Sequence, residues 1–83
     1  MVDVELLMDE LATRGVTVLI KADHERMAER RKPWTMVLSG PALGESGLIR
    51  IDAPSLDHCL KFCLRELREY PGDWAWLEAY SSN

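Results

Sequence analysis

The stretch Val16-Thr17-Val18-Leu19-Ile20-Lys21 decides how this chain folds, because the apolar residues change there from a helical to an extended period. Before it, Val4, Leu7, Met8, Leu11 and Ala12 recur at the three- and four-residue spacing that lines one face of a helix. Asp3 is placed to cap that helix, and Gly15 to stop it. From Val16 the run is β-branched and alternates. Val16, Val18 and Ile20 therefore fall on one face of a strand, and Thr17, Leu19 and Lys21 on the other.

Working outward, two further runs read as strands: W-T-M-V-L-S from Trp34 to Ser39, and L-I-R-I-D from Leu48 to Asp52. The connection A-D-H-E-R-M-A-E-R-R-K-P is too long for a tight hairpin and dense in charge, so it is expected to project into water as a loop or frayed helical turn. The next connection, G-P-A-L-G-E-S-G, holds three glycines and a proline and reads as a looser turn. Both connections suit an antiparallel meander. If Val16, Val18, Ile20, Trp34, Met36, Leu38, Ile49 and Ile51 face the helices, the opposite face carries Thr17, Leu19, Lys21, Thr35, Val37, Leu48 and Arg50.

Pro54-Ser55 opens the strongest helix signal, with Ser55 as N-cap and an apolar stripe of Leu56, Cys59, Leu60, Cys63, Leu64 and Leu67. Asp57 with Lys61 and Arg65 with Glu69 form opposite-charge pairs four residues apart on its wet side. Tyr70-Pro71-Gly72 ends the helix. Asp73 can then cap a last segment, W-A-W-L-E-A-Y, leaving S-S-N as a frayed end. The order α-β-β-β-α predicts an α+β fold: a three-stranded antiparallel sheet with two helices on one face and a short C-terminal helical segment. At 83 residues the chain, positions 1–83, is expected to form a single small domain.

Composition narrows the function classes. Ten basic against fourteen acidic residues give a net charge of -4, which argues against bulk attraction to nucleic acid. No apolar run approaches the roughly 20 residues of a membrane span, and the opening M-V-D-V-E-L-L-M-D-E is acidic where a signal peptide is basic. The chain therefore reads as cytoplasmic and free of the membrane.

Motifs for chemistry are incomplete. His24 is followed by Glu25, but a zinc-protease helix needs a second histidine where Ala28 stands. His58 and Cys59 are adjacent on a helix and point about 100° apart, so they do not make a nucleophile and base. Cys59 and Cys63, four apart, sit beyond disulfide reach on one helix and read as small apolar residues in a reducing compartment. The loop S-G-P-A-L-G-E-S-G has neither the lysine nor the following helix of a phosphate-binding loop, and Glu45 stands where a basic residue is wanted. The chain is expected to be non-catalytic, with no cofactor and no metal.

The order α-β-β-β-α is similar to that of the double-stranded-RNA-binding domain, and Glu29-Arg30-Arg31-Lys32 lies in the loop after the first strand. The resemblance implies a lysine-rich N-terminus on the second long helix that straddles groove phosphates. Here the corresponding residues, D-A-P-S-L-D-H, are acidic or neutral. Nucleic-acid binding through Arg26, Arg30, Arg31 and Lys32 is accordingly the second reading.

The first reading is a protein-binding module acting as a regulator, inhibitor or accessory subunit, an immunity-type or phage-encoded antagonist being one concrete form. Two surfaces suit it. Leu19, Val37 and Leu48 make the open sheet face more apolar than an idle solvent face, suited to a partner or to a homodimer. In the tail, Trp74 and Leu77 fall three apart and Trp76 and Tyr80 four apart, which puts apolar rings on two sides: one to dock on the domain, the other for contact.

Overall fold

The computed structural model describes residues 3–29 and 31–80. Helix α1 (Val4–Thr13) begins at Asp3, whose carboxylate accepts from the Leu6 N–H at 3.0 Å. Its buried residues are Leu7 and Leu11, one turn apart. The chain turns at Gly15, which takes a left-handed φ of 90°, and enters β1 (Thr17–Ala22). Val16 lies just outside that strand and is buried.

The charged connection contains a five-residue helix, α2 (His24–Ala28), capped by Asp23. Strands β2 (Trp34–Ser39) and β3 (Ile49–Ala53) follow, and the sheet order β1-β2-β3 is antiparallel throughout. The pairing Val18↔Leu38↔Ile49 and Ile20↔Met36↔Ile51 sets one apolar face against the helices, as the alternation predicts. Leu48 falls one residue short of β3.

The connection between β2 and β3 is more than a loose turn. Pro41–Leu43 form a 3-10 turn that buries Leu43, and the Ala42 N–H donates to the Gly15 carbonyl at 3.1 Å. Gly40 makes this approach possible: its φ is 117°, and a Cβ there would stand 2.5 Å from the Gly15 oxygen.

Helix α3 (Leu56–Leu67) is capped by Ser55, whose hydroxyl accepts from the His58 N–H at 3.1 Å. Cys59, Leu60, Cys63, Leu64 and Leu67 are all buried, and they pack into one core with Leu7, Leu11, Met36 and Leu38. Both long helices thus cover the same sheet face. Asp57 and Lys61 pair at 3.2 Å, as their spacing predicts. Arg65 instead sets its guanidinium 5.5 Å from the Phe62 ring centre.

The tail differs from the α-helical reading in its period. Ala75–Tyr80 is a 3-10 helix, with three residues per turn, so Trp74, Leu77 and Tyr80 align on one buried side. Tyr80 is therefore buried with Trp74 and Leu77, while Trp76 between them is only half-buried. The expected frayed S-S-N end lies outside the described residues. Deleting the Leu77 side chain opens a void in a fully buried site, so Leu77→Ala should lower stability by about 2–5 kcal/mol in urea denaturation. Trp76→Ala should cost clearly less, and equal costs would contradict this seating of the tail.

Candidate functional site

The register arranges the face away from the helices in rows. Lys21, Thr35 and Asp52 form one row and Leu19, Val37 and Arg50 the next. Continuing the register by one residue places Leu48 beside Ser39 and Thr17. Leu19 is 59% and Leu48 58% exposed, and Val37 between the strands is half-covered. The three predicted apolar residues therefore share one face, with Leu48 diagonal to Val37 across the β2–β3 pair.

The polar row is not open. Arg26, from α2, reaches over it: its guanidinium donates to Asp52 Oδ1 at 3.2 Å and to Thr35 Oγ1 at 2.9 Å, and it approaches Asp23 at 3.7 Å. The Thr35 hydroxyl donates in turn to Asp52. Thr35 is consequently buried although it lies on the face away from the helices, where the alternation places it. Its hydroxyl first, then Arg26, hold the Asp52 carboxyl below its ordinary value near 3.8, against a smaller opposing effect of burial. The Arg26 backbone N–H, bonded to the Asp23 cap, lowers Asp23 in the same direction.

This network also changes the standing of the basic cluster. Arg26, Arg31 and Lys32 line a cleft of about 550 Å³ together with Asp52 and Pro54. Arg26 is held by three polar partners, and Arg31 pairs with Glu29 at 3.4 Å. Lys32 takes a φ of 38°, uncommon for a residue with a side chain, as the chain turns into Pro33 and β2. Arg30 lies outside the described residues.

The tail aromatics are engaged with the domain. The Trp74 indole donates to the Tyr70 carbonyl at 2.9 Å and the Tyr80 hydroxyl to Glu10 at 3.0 Å. Burial, with Glu10 adding to it, pushes the Tyr80 hydroxyl up. Trp76 lies under the Arg14 guanidinium, 4.4 Å from its ring centre, and meets Tyr80 edge-on at 6.0 Å. Glu78 reaches Arg68 at 3.7 Å, so the segment bridges both long helices.

Among the described residues no cluster of metal-ligating side chains occurs, and no helix is long and apolar enough to cross a membrane. Cys59 and Cys63 are free and buried. Burial, with Cys59 beside it, pushes the Cys63 thiol up to about 12, far from a reactive thiolate. Comparison with protein-family models, curated proteins and solved structures finds no match to this chain. The likeness to the double-stranded-RNA-binding domain is one of element order.

The sequence reading missed the Arg26–Thr35–Asp52 network. Its signal was present in the cross-strand pairing of a threonine with an aspartate, but the covering arginine comes from a helix outside the sheet. Because Asp52 is held below its ordinary value, the unfolded chain takes up its proton first as pH falls. The network's stabilisation is therefore complete above about pH 4 and lost below it, as pH passes through the lowered folded value. Asp52→Asn should flatten the acid limb of the urea midpoint against pH. An unchanged acid limb would contradict the network.

Proposed function

We propose that this chain binds another protein through the sheet face around Leu19, Val37 and Leu48, as a non-catalytic regulator, inhibitor or accessory subunit. The observation that carries this reading is the contrast between two leucines more than half exposed on one β face and tail aromatics consumed by the domain. An apolar patch bordered by the charges of Lys21 and Arg50 has the make-up of a contact surface with a polar rim. The net charge of -4 favours a basic partner surface for the rest of the molecule, which suits an antagonist of the immunity type or one encoded by a phage. Cytoplasmic placement belongs to the same reading, supported by two unpaired, buried cysteines.

Nucleic acid is the second reading, favoured by the cleft that brings Arg26, Arg31 and Lys32 together. It is the weaker one because Arg26 is already held by Asp52, Thr35 and Asp23. Of the tail rings, Trp76 is the one left half-buried, and Arg14 already lies over it.

A pull-down from the native host, with Leu19→Glu and Leu48→Glu as folded controls, tests the protein reading. Both positions are exposed, so the fold should survive, and each variant should weaken the captured partner by about tenfold or more. A partner retained by both variants would contradict the assignment of this face. A salt-sensitive gel shift abolished by neutralising Arg31 and Lys32 would move the assignment to nucleic acid.

A further inference from the structure

Strand β1 is apolar and incompletely covered on both of its faces. On the helix face, Val18 and Ile20 are only partly buried, while their cross-strand neighbours Leu38 and Met36 are fully buried. On the other face Leu19 is 59% exposed. As the first strand in the order β1-β2-β3 it also has one unpaired edge. Among the described residues, no loop or helix backbone hydrogen-bonds to residues 17–22 on that side.

The opposite edge is different. Strand β3 alternates Arg50 and Asp52 on its outer face, and the two approach within 3.8 Å. Charges on an edge strand are a common device against unwanted pairing, and β1 offers only Lys21. Strand β1 has no proline within it.

We propose that β1 pairs antiparallel with β1 of a second copy, about a two-fold axis through Leu19, to give one six-stranded sheet. Keeping both helix layers on the same side requires each residue to oppose one of its own parity, because a one-residue slip exchanges the faces. Centred on Leu19, the pairing sets Val18 opposite the second copy's Ile20 and Thr17 opposite its Lys21. Apolar residues meet apolar ones on the helix side, and each lysine meets a neutral hydroxyl. Of the neighbouring permitted registers, one centred on Ile20 would set Leu19 against Lys21, and one centred on Val18 would pair only residues 17–19 of each strand, with Thr17 against Leu19. The strand is therefore self-complementary in one register, which is the requirement of an isologous dimer and the reason for assigning a second copy as the occupant. In that register the row Arg50, Val37, Leu19 runs unbroken into the second copy's Leu19, Val37 and Arg50.

The dimer does not depend on the partner proposed above, and either could fail alone. Sedimentation velocity over a concentration series up to about millimolar tests it, with circular dichroism and tryptophan fluorescence as fold controls; all substituted positions are exposed. The wild-type chain should pass from one to two chain masses. Leu19→Asp, which sets like charges opposite each other on the axis, should weaken association by about tenfold. Thr17→Lys should weaken it several-fold by facing Lys21 of the second copy, and adding Lys21→Glu to Thr17→Lys should restore it. A wild-type chain that stays monomeric throughout would overturn the proposal. So would association unaffected by Leu19→Asp, or strengthened by Thr17→Lys, since in the register centred on Ile20 Thr17 faces Asp23.

Discussion

The pairing of β2 with both of its neighbours is the constraint on which the rest of the structure depends. Side chains on a strand alternate with a period of two, so a slip of one residue would carry Met36 and Leu38 into water and bring Thr35 and Val37 under the helices. Each of those two buried side chains contributes on the order of 1.5–3 kcal/mol through removal of apolar surface from water. Only the observed register satisfies this burial while leaving Thr35 opposite Asp52. Fold and polar network are therefore fixed together.

That register also divides the surface. At one end of the open face, Arg26 closes over Thr35 and Asp52 and commits three polar groups to one another. Toward the other end, Leu19 and Leu48 remain exposed, with nothing comparable above them. On the helix side, the C-terminal 3-10 segment joins α1 to α3 through Tyr80 with Glu10 and Glu78 with Arg68. The tail aromatics are thus engaged with the domain, and among the described residues the two most exposed large apolar side chains, Leu19 and Leu48, lie on the sheet face, ahead of Leu6 on α1 and Met27 on α2.

Much of this was legible in the sequence because it rests on local rules. Asp3 and Ser55 cap the helices their positions promised, and the alternation from Val16 onward puts Val18, Ile20, Met36, Leu38, Ile49 and Ile51 on one face and Leu19, Lys21, Thr35, Val37 and Arg50 on the other, as the register has them. What was not legible depends on distant neighbours or on a different period. Thr35 is buried only because an arginine from α2 reaches it, and Leu43 only because its turn docks on Gly15. Trp76 and Tyr80 do meet edge-on, but the tail winds at three residues per turn, so Tyr80 is buried in line with Trp74 and Leu77 rather than sharing a separate side with Trp76. Arg65 has an acidic neighbour four residues on, and the aromatic ring three residues back lies beneath its guanidinium.

The central claim is that sheet, helices and tail form one cooperative unit. Native-state hydrogen exchange tests it most directly, because the Leu77 N–H donates to the Trp74 carbonyl at 3.0 Å within the tail while Met36 and Leu64 report on the sheet and α3. The account predicts that the amides of Met36, Leu64 and Leu77 exchange with the same opening free energy, that of global unfolding. Exchange of the Leu77 amide near the rate of an unstructured peptide, with Met36 and Leu64 still protected, would contradict it.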